Sequence, residues 1–201
     1  SSMEVVEISK TEDGVPVYID KNASQADWII VTNRIKPHTK FKAPIESGLM
    51  KMMAIGMGNQ KGAEYYHKAA IQFTFPKIIV DAGREVIKKA PILCGLGMVE
   101  NGYDETAKIV AIPPAEIEAQ ERELLALAKQ MMPRLPFNRI DLLIVDEMGK
   151  DISGTGIDPN VTGRNRDLLG AEHVRQVRKD CASVILWCAE KATWMAGEGI
   201  Q

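Results

Sequence analysis

The feature that most constrains the fold is a continuous apolar, β-branched run, Trp28-Ile29-Ile30-Val31-Thr32. Such a run is typical of a strand that is buried on both faces. Similar runs alternate with helical stretches along the rest of the chain, at Val15–Ile19, Lys77–Asp81, Pro91–Val99, Ile109–Ile112 and Ile140–Val145. We therefore predict an α/β fold with mostly parallel or mixed sheets and flanking helices.

The dipeptide Pro113-Pro114 interrupts this alternation and predicts two lobes, residues 1–113 and 114–201. The periodicity predicts a helix over Asn59–Ala70 in the first lobe. In the second lobe it predicts an amphipathic helix over Ala115–Met132 and an apolar helix over Ala182–Met195.

Composition excludes several classes of function. The chain has 201 residues, of which 45% are hydrophobic and 26% charged, as in an ordinary globular protein. A net charge of −2 gives no general attraction to nucleic acid or to an anionic membrane surface. No apolar run reaches the length of about 18 residues that a membrane-spanning helix needs. We expect neither nucleic acid nor a membrane as a partner.

The cysteines indicate the redox compartment of the protein, and the two ends of the sequence indicate whether it is part of a longer protein. Cys94, Cys181 and Cys188 form an odd set without a CxxC pair, which favours reduced cysteines in a cytoplasmic protein. The sequence begins without an initiator methionine and ends directly after an apolar helical stretch. From these ends we expect an internal piece of a longer protein.

A basic segment, Asn33–Lys42, follows the first strand at its carboxyl end, where ligands bind in open α/β sheets. It carries three lysines suited to a phosphate or carboxylate, at Lys36, Lys40 and Lys42. It also carries His38, which can exchange protons near neutral pH. The alternative is a solvated turn with no ligand.

Lys51 is the only charged residue between Ser47 and Met57. Desolvation should lower its pKa and make it a nucleophile for covalent attachment. Alternatively, its ammonium group extends to solvent from a Met-lined helix. His67 follows 16 residues later on the predicted helix, and taken alone it is a packed or surface histidine as readily as a metal ligand.

Three elements together resemble the lactate racemase family: Arg34-Ile35-Lys36-Pro37-His38, Ser47-Gly48-Leu49-Met50-Lys51, and the later His67. The resemblance implies a nickel-pincer nucleotide, a pyridinium-derived mononucleotide that holds nickel through carbon and sulfur. The residue roles that it implies are a thioamide tether at Lys51, cofactor contacts at Ser47 and Gly48, and a nickel ligand at His67.

The activity implied by the resemblance is racemisation or epimerisation of a small 2-hydroxy acid. His38 would be one of two histidines that exchange a proton with the substrate while hydride moves between the α-carbon and the cofactor. Its interval to Lys51 is a few residues longer than in lactate racemase itself, and the second histidine would precede Ser1. Lys150 and Asp151, at a strand-to-loop junction, are the predicted substrate contacts.

Two other hypotheses remain open from the sequence. Gly56, Gly58 and Gly62 approximate a dinucleotide-binding signature, and Asp81 ends a strand-like run where a ribose-binding acid belongs, which favours an NAD-type oxidoreductase. The Met-rich segment before these glycines is unlike a central strand. The third hypothesis is a non-catalytic α/β fragment that forms a homodimer to cover an exposed apolar face.

Overall fold

The computed structural model describes residues 3–136, 143–145, 158–162 and 184–186. Contacts divide the chain into two compact units, Ser1–Met132 and Pro133–Gln201. The strands of the first unit are β1 (Val5–Lys10), β2 (Pro16–Asp20), β3 (Ile29–Arg34), β4 (Ile92–Glu100) and β5 (Thr106–Ile112). Its α-helices are α1 (Lys21–Ser24), α2 (Leu49–Lys51), α3 (Asn59–Ala69), α4 (Phe75–Lys89) and α5 (Ile117–Met131). A π-helical turn, Met52–Gly56, continues α2.

The second unit contains β6 (Leu143–Val145), α6 (Pro159–Thr162) and β7 (Val184–Leu186) within its described residues. β6 and β7 pair in parallel, so the helix predicted over Ala182–Met195 is wrong at β7. Val and Ile favour strands, and a short apolar run in the sequence does not by itself distinguish a strand from a buried helix. Ile144 on β6 is 61% exposed, although its run was predicted to be buried.

The fold is a mixed α/β fold with flanking helices, as predicted. β1 and β2 form an antiparallel hairpin whose turn includes Gly14 at a φ of 78°. β4 is the central strand of a three-stranded sheet, parallel to β3 and antiparallel to β5. Two of the four strand pairs within the described residues are parallel and two are antiparallel, so the sheets are of the predicted mixed kind. Across those residues, no helix is long and apolar enough to cross a membrane.

The strand predicted over Trp28–Thr32 forms, but the prediction that both of its faces are buried is wrong. Val31 is buried, whereas Trp28 is 67% exposed and Ile30 is 52% exposed. Side chains alternate across a strand, and Val31 lies on the face that joins the core. The apolar run predicted the strand correctly, but it carried no information about which faces are packed.

Two glycines bring the inner face of β4 close to the elements that follow β3. A Cβ at Gly95 would lie 2.7 Å from Leu49 Cδ1, and a Cβ at Gly97 would lie 2.8 Å from Ile35 Cδ1. Leu49 begins α2, so the missing side chain at Gly95 lets this helix pack directly on the sheet. Lys51 therefore sits on a short helix anchored to the core.

The predicted strand Lys77–Asp81 is instead the first half of α4. The buried residues of α4 recur with the spacing of one helix face, at Ile78, Ile79, Ala82, Gly83 and Val86. Pro76 in the first turn suits a helix start. The five residues Lys77–Asp81 show an apolar run, but they are too few to show the helical spacing of the buried residues.

The predicted helix after Pro113-Pro114 forms as α5, preceded by a 3₁₀ turn at Pro114–Glu116. It belongs to the first compact unit, and its buried residues Leu124, Leu125 and Ala128 join that unit's core. The proposed lobe division at residue 113 stays a prediction, but α5 packs with the residues before it.

Candidate functional site

The helix that carries Lys51 is fixed at its first turn. Leu49 and Met50 are fully buried, and the backbone N–H of Met50 donates to Oε2 of Glu121 at 2.8 Å. The carbonyl oxygen of Gly48 accepts from Asn33 Nδ2 at 2.9 Å. These contacts hold the backbone before Lys51 from two sides.

The Lys51 side chain is half-buried. Burial, and after it the charge of Lys36, lowers the pKa of Lys51 from the usual lysine value. A lower pKa increases the fraction of neutral amine, which is the form that attacks an electrophilic carbon. The environment of Lys51 is therefore suited to covalent attachment.

The His38 loop is closed at its ends by an isolated antiparallel bridge between Lys36 and Ser47. The backbone N–H of Lys36 donates to the Ser47 carbonyl at 2.8 Å. Ser47 and Gly48 thus immediately precede α2 and join the His38 loop to the Lys51 helix.

A buried carboxylate organises the inside of this loop. Glu46 is 0% exposed, and its Oε2 accepts from the backbone N–H of His38 at 2.7 Å. Its Oε1 accepts from Ala43 N at 3.2 Å and from Lys129 Nζ at 2.6 Å. The Lys129 ammonium compensates a charge that would otherwise be costly to bury.

His38 lies in a cationic environment. Burial is the main cause that lowers the pKa of His38 to about 4, with Lys51, Lys42 and Lys40 acting in the same direction and Glu46 opposing them. The imidazole is therefore neutral at neutral pH. An anionic ligand bound among these lysines would raise the pKa of His38 again.

The two ring nitrogens of His38 differ in their surroundings. Nδ1 accepts from the backbone N–H of Lys40 at 3.1 Å, so the proton of the neutral ring belongs on Nε2. For Nε2 to accept a proton from a substrate, Nδ1 must first take the proton and release this hydrogen bond. Proton exchange at His38 therefore requires a small adjustment of the loop.

His38 and His67 are joined by two phenylalanine rings. His38 stacks on Phe41 with a centroid distance of 4.1 Å, and Phe41 meets Phe75 edge-on at 6.0 Å. Phe75 in turn stacks on His67 at 5.1 Å. The structure thus places His67 on α3 and His38 in its loop on one aromatic surface. His67 itself is exposed.

Residues 1–74 match the lactate racemase N-terminal domain. The match supports a relationship to the lactate racemase family, whose members are isomerases, and it includes Lys51, His38 and His67. No curated protein matches the chain.

The lactate racemase-like segment, residues 1–74, ends just before α4. α4, β4, β5 and α5 all lie after it, although Glu121 and Lys129 of α5 contact the segment directly. The substrate contacts predicted at Lys150 and Asp151 fall outside the described residues. In the described ranges, no group of three or more His, Cys, Asp or Glu residues could hold a metal ion.

The glycines of the rival oxidoreductase hypothesis have a packing role. A Cβ at Gly58 would lie 2.9 Å from the Ala54 carbonyl oxygen, and Gly56 ends the π-helical turn. A dinucleotide signature requires a strand before the glycines and a strand that ends at the acid. Here the preceding segment is helical, and Asp81 lies within α4, paired with Lys77 at 2.7 Å. No observation favours this hypothesis.

Sequence reasoning missed Glu46, Glu121, Lys129, Phe41 and Phe75. One signal was available for Glu121, since a carboxylate at 121 interrupts the apolar face of a helix that continues with Leu124 and Leu125. Phe41, an aromatic residue inside a lysine-rich loop, was a second signal. Their partners could not be deduced, because the contacts join residues 71 and 83 positions apart.

The close approach at Gly48 gives a first prediction. A Cβ there would lie 2.4 Å from Glu121 Oε1 and 3.1 Å from Ile35 Cγ1. We expect Gly48→Ala to lower the free energy of unfolding by about 1–3 kcal/mol, because the carboxyl group must move. The measurement is urea denaturation of both proteins.

Gly62→Ala is the matched control for Gly48→Ala. Its Cβ would meet Tyr66 Cε2 at an ordinary 3.6 Å, and Gly62 lies inside α3. We expect this variant to be neutral or more stable by roughly 0.5–1 kcal/mol, because alanine favours the helix. Equal losses in the two variants would contradict the close contact at Gly48.

A second prediction concerns pH. Because the folded-state pKa of His38 is about 4 and an unfolded histidine titrates near 6.5, the unfolded chain binds more protons between these values. His38 therefore makes stability fall as the pH is lowered through this window. Urea denaturation at several pH values should give a flatter profile for His38→Gln than for the parent chain. An unchanged profile would contradict the burial of the neutral ring.

Proposed function

We propose that this chain carries the cofactor-attachment segment of a 2-hydroxy acid racemase or epimerase, with Lys51 as the covalent tether of a nickel-pincer nucleotide. The observation that carries the proposal is the half-buried Lys51 amine, with its lowered pKa, on a core-anchored helix and electrostatically coupled to His38. The match of residues 1–74 to the lactate racemase N-terminal domain supports the same chemistry.

The side chains present fit this group chemically. A mononucleotide carries an anionic phosphate and the substrate carries a carboxylate. Lys40 and Lys42 supply positive charge near His38, and Lys36 supplies it near Lys51. Nickel held by the carbon and sulfur atoms of the nucleotide needs only one further protein ligand. The exposed imidazole of His67 can supply that nitrogen, so a larger cluster of protein ligands is not required.

When bound, the group would supply a reversible hydride acceptor for the substrate's α-carbon. The chain's own residues would bind, orient and move protons. The lysines would hold the substrate carboxylate, and His38 would exchange a proton with the substrate through Nε2 after releasing the Lys40 N–H. Phe41 stacks on one face of the His38 ring.

The proposed substrate is a small-molecule 2-hydroxy acid, because a carboxylate next to a secondary alcohol matches one cationic and one proton-exchanging group. Lys150 and Asp151 remain proposed substrate contacts. The proposed compartment is the cytoplasm, where a free thiol such as that of Cys94 stays reduced.

The test is mass spectrometry of the full chain after co-expression with the enzymes that make the cofactor. We expect an added mass that maps to Lys51 and stoichiometric nickel. His67→Ala should keep the Lys51 adduct but lose nickel, because the tether and the metal ligand are different residues. Tyr65→Ala, which removes another exposed ring from α3, serves as the control and should keep both.

An unmodified Lys51 under these conditions would overturn the tether assignment. Full nickel occupancy in His67→Ala would overturn the ligand assignment alone. Stoichiometric NAD in the purified protein would restore the oxidoreductase hypothesis, and a chain with no bound group would favour the non-catalytic fragment.

A further inference from the structure

Glu121 of α5 occupies a position where a core helix ordinarily has an apolar side chain. It is 0% exposed, and burial raises the pKa of Glu121 to about 7. Its Oε2 accepts from Met50 N, whereas Oε1 has no hydrogen-bond partner within the described residues and lies against Gly48. A carboxyl group buried at such cost contacts the backbone that leads into Lys51.

Lys129, two turns further along α5, contacts the other half of the site. Its ammonium group donates to Glu46 Oε1 at 2.6 Å, and Glu46 Oε2 accepts from His38 N at 2.7 Å. Lys129 thus reaches His38 through a single buried carboxylate. The Lys129 side chain is 40% exposed and Glu46 is fully buried, so the pair lies at the edge of the core.

We infer that α5 positions the site, with Glu121 fixing the Lys51 helix and Lys129, through Glu46, fixing the His38 loop. The inference rests on the proposed function for the roles of Lys51 and His38. Glu121 and Lys129 are positioning residues, because they act through Met50 and Glu46 and not on a substrate.

A helix is suited to this task because its length is fixed. Glu121 and Lys129 are eight positions apart, which corresponds to about 12 Å along the helix axis. Two contacts made from one rigid helix keep the groups they position at a constant distance, more reliably than contacts made from loops. The buried apolar residues between them, Leu124, Leu125 and Ala128, anchor that element in the core.

The test uses the full, cofactor-free chain and two separate readouts. Competitive acylation followed by peptide mass spectrometry measures the pH midpoint at which Lys51 becomes reactive. NMR titration measures His38, which is one of only three histidines in the chain. The variants are Glu121→Ala and Lys129→Met, with Glu121→Gln and Lys129→Arg as conservative replacements. Glu123→Ala, at an exposed position of α5, is the matched control.

We expect Glu121→Ala and Lys129→Met each to change one of the two readouts. Glu121→Ala should raise the Lys51 midpoint toward the ordinary lysine value of about 10.4, because the freed helix exposes the amine. Lys129→Met should raise the pKa of His38 toward about 6.5, because burial is the main cause of its low value. Glu121→Gln, Lys129→Arg and Glu123→Ala should leave both values near those of the parent chain.

If Glu121→Ala and Lys129→Met each change both readouts, the variants have loosened the whole unit. If neither readout changes, the two residues do not support the site. Either result overturns the positioning roles. These outcomes are independent of cofactor attachment. An unmodified Lys51 after co-expression overturns the proposed function, even if Glu121→Ala still changes only the Lys51 midpoint and Lys129→Met only the pKa of His38. A loaded Lys51 in a chain whose readouts do not separate overturns only the inference about α5.

Discussion

Lys51→Arg is expected to abolish the cofactor adduct and to reduce racemisation to the background rate. Arginine retains the positive charge and much of the length of lysine, but its guanidinium group does not lose its proton in proteins and cannot act as the nucleophile. The effect should be complete because attachment requires a neutral amine at this position. Intact-protein mass spectrometry and a chiral assay of the 2-hydroxy acid measure the two losses.

Lys61→Arg is the matched control for this prediction. Lys61 lies on α3 with its ammonium group 4.7 Å from the centre of the Tyr18 ring, an interaction that arginine preserves. This variant should keep both the adduct and the activity. An adduct of full stoichiometry in Lys51→Arg would show that another lysine is the tether.

Leu49→Ala is expected to lower the free energy of unfolding by about 2–5 kcal/mol, because it leaves a cavity in a well-packed core. Leu49 is 0% exposed and packs against Gly95, which has no side chain of its own to fill the space. A loss of this size is a large part of a stability of roughly 5–15 kcal/mol. Urea denaturation measures it.

Leu93→Ala makes the same chemical change on β4 at a side chain that is 48% exposed. We expect its effect to be within roughly 0.5 kcal/mol, as for most surface substitutions. Similar losses for the two variants would contradict the packing of α2 on the sheet, on which the position of Lys51 depends.

The local sequence pattern predicted most strands of the first unit, but it did not predict which of their faces are buried by neighbouring elements. The period of two or the density of branched residues located β2, β3, β4 and β5. The exposure of Trp28 and Ile30 depends on which elements pack beside β3, and that information is not contained in the run itself. The misassigned strand at Lys77–Asp81 had its correct signal in a longer window, since the buried positions continue to Val86.

The candidate site was predictable where it depended on sequence neighbours. Lys51 stood out as a single charge in an apolar segment, and His38 stood out within a basic loop. Glu46, Glu121 and Lys129 did not, because a charged residue acquires a partner only when distant segments fold together. His67 was linked to His38 by rings that lie in separate elements, Phe41 and Phe75.

Because α5 lies after residue 74, the segment that matches the family model does not by itself contain all the residues that support the site. A polypeptide that ends at residue 74 would keep Lys51, His38 and His67 but lose the surfaces that cover Leu49 and Met50. Leu49 packs against Gly95 and Met50 packs against Gly83, and both glycines come later in the chain. Transplanting the matched segment alone into another scaffold would therefore transfer the candidate site residues without the surfaces that bury the start of the Lys51 helix. A piece that extends to Met132, the end of the first compact unit, retains those surfaces.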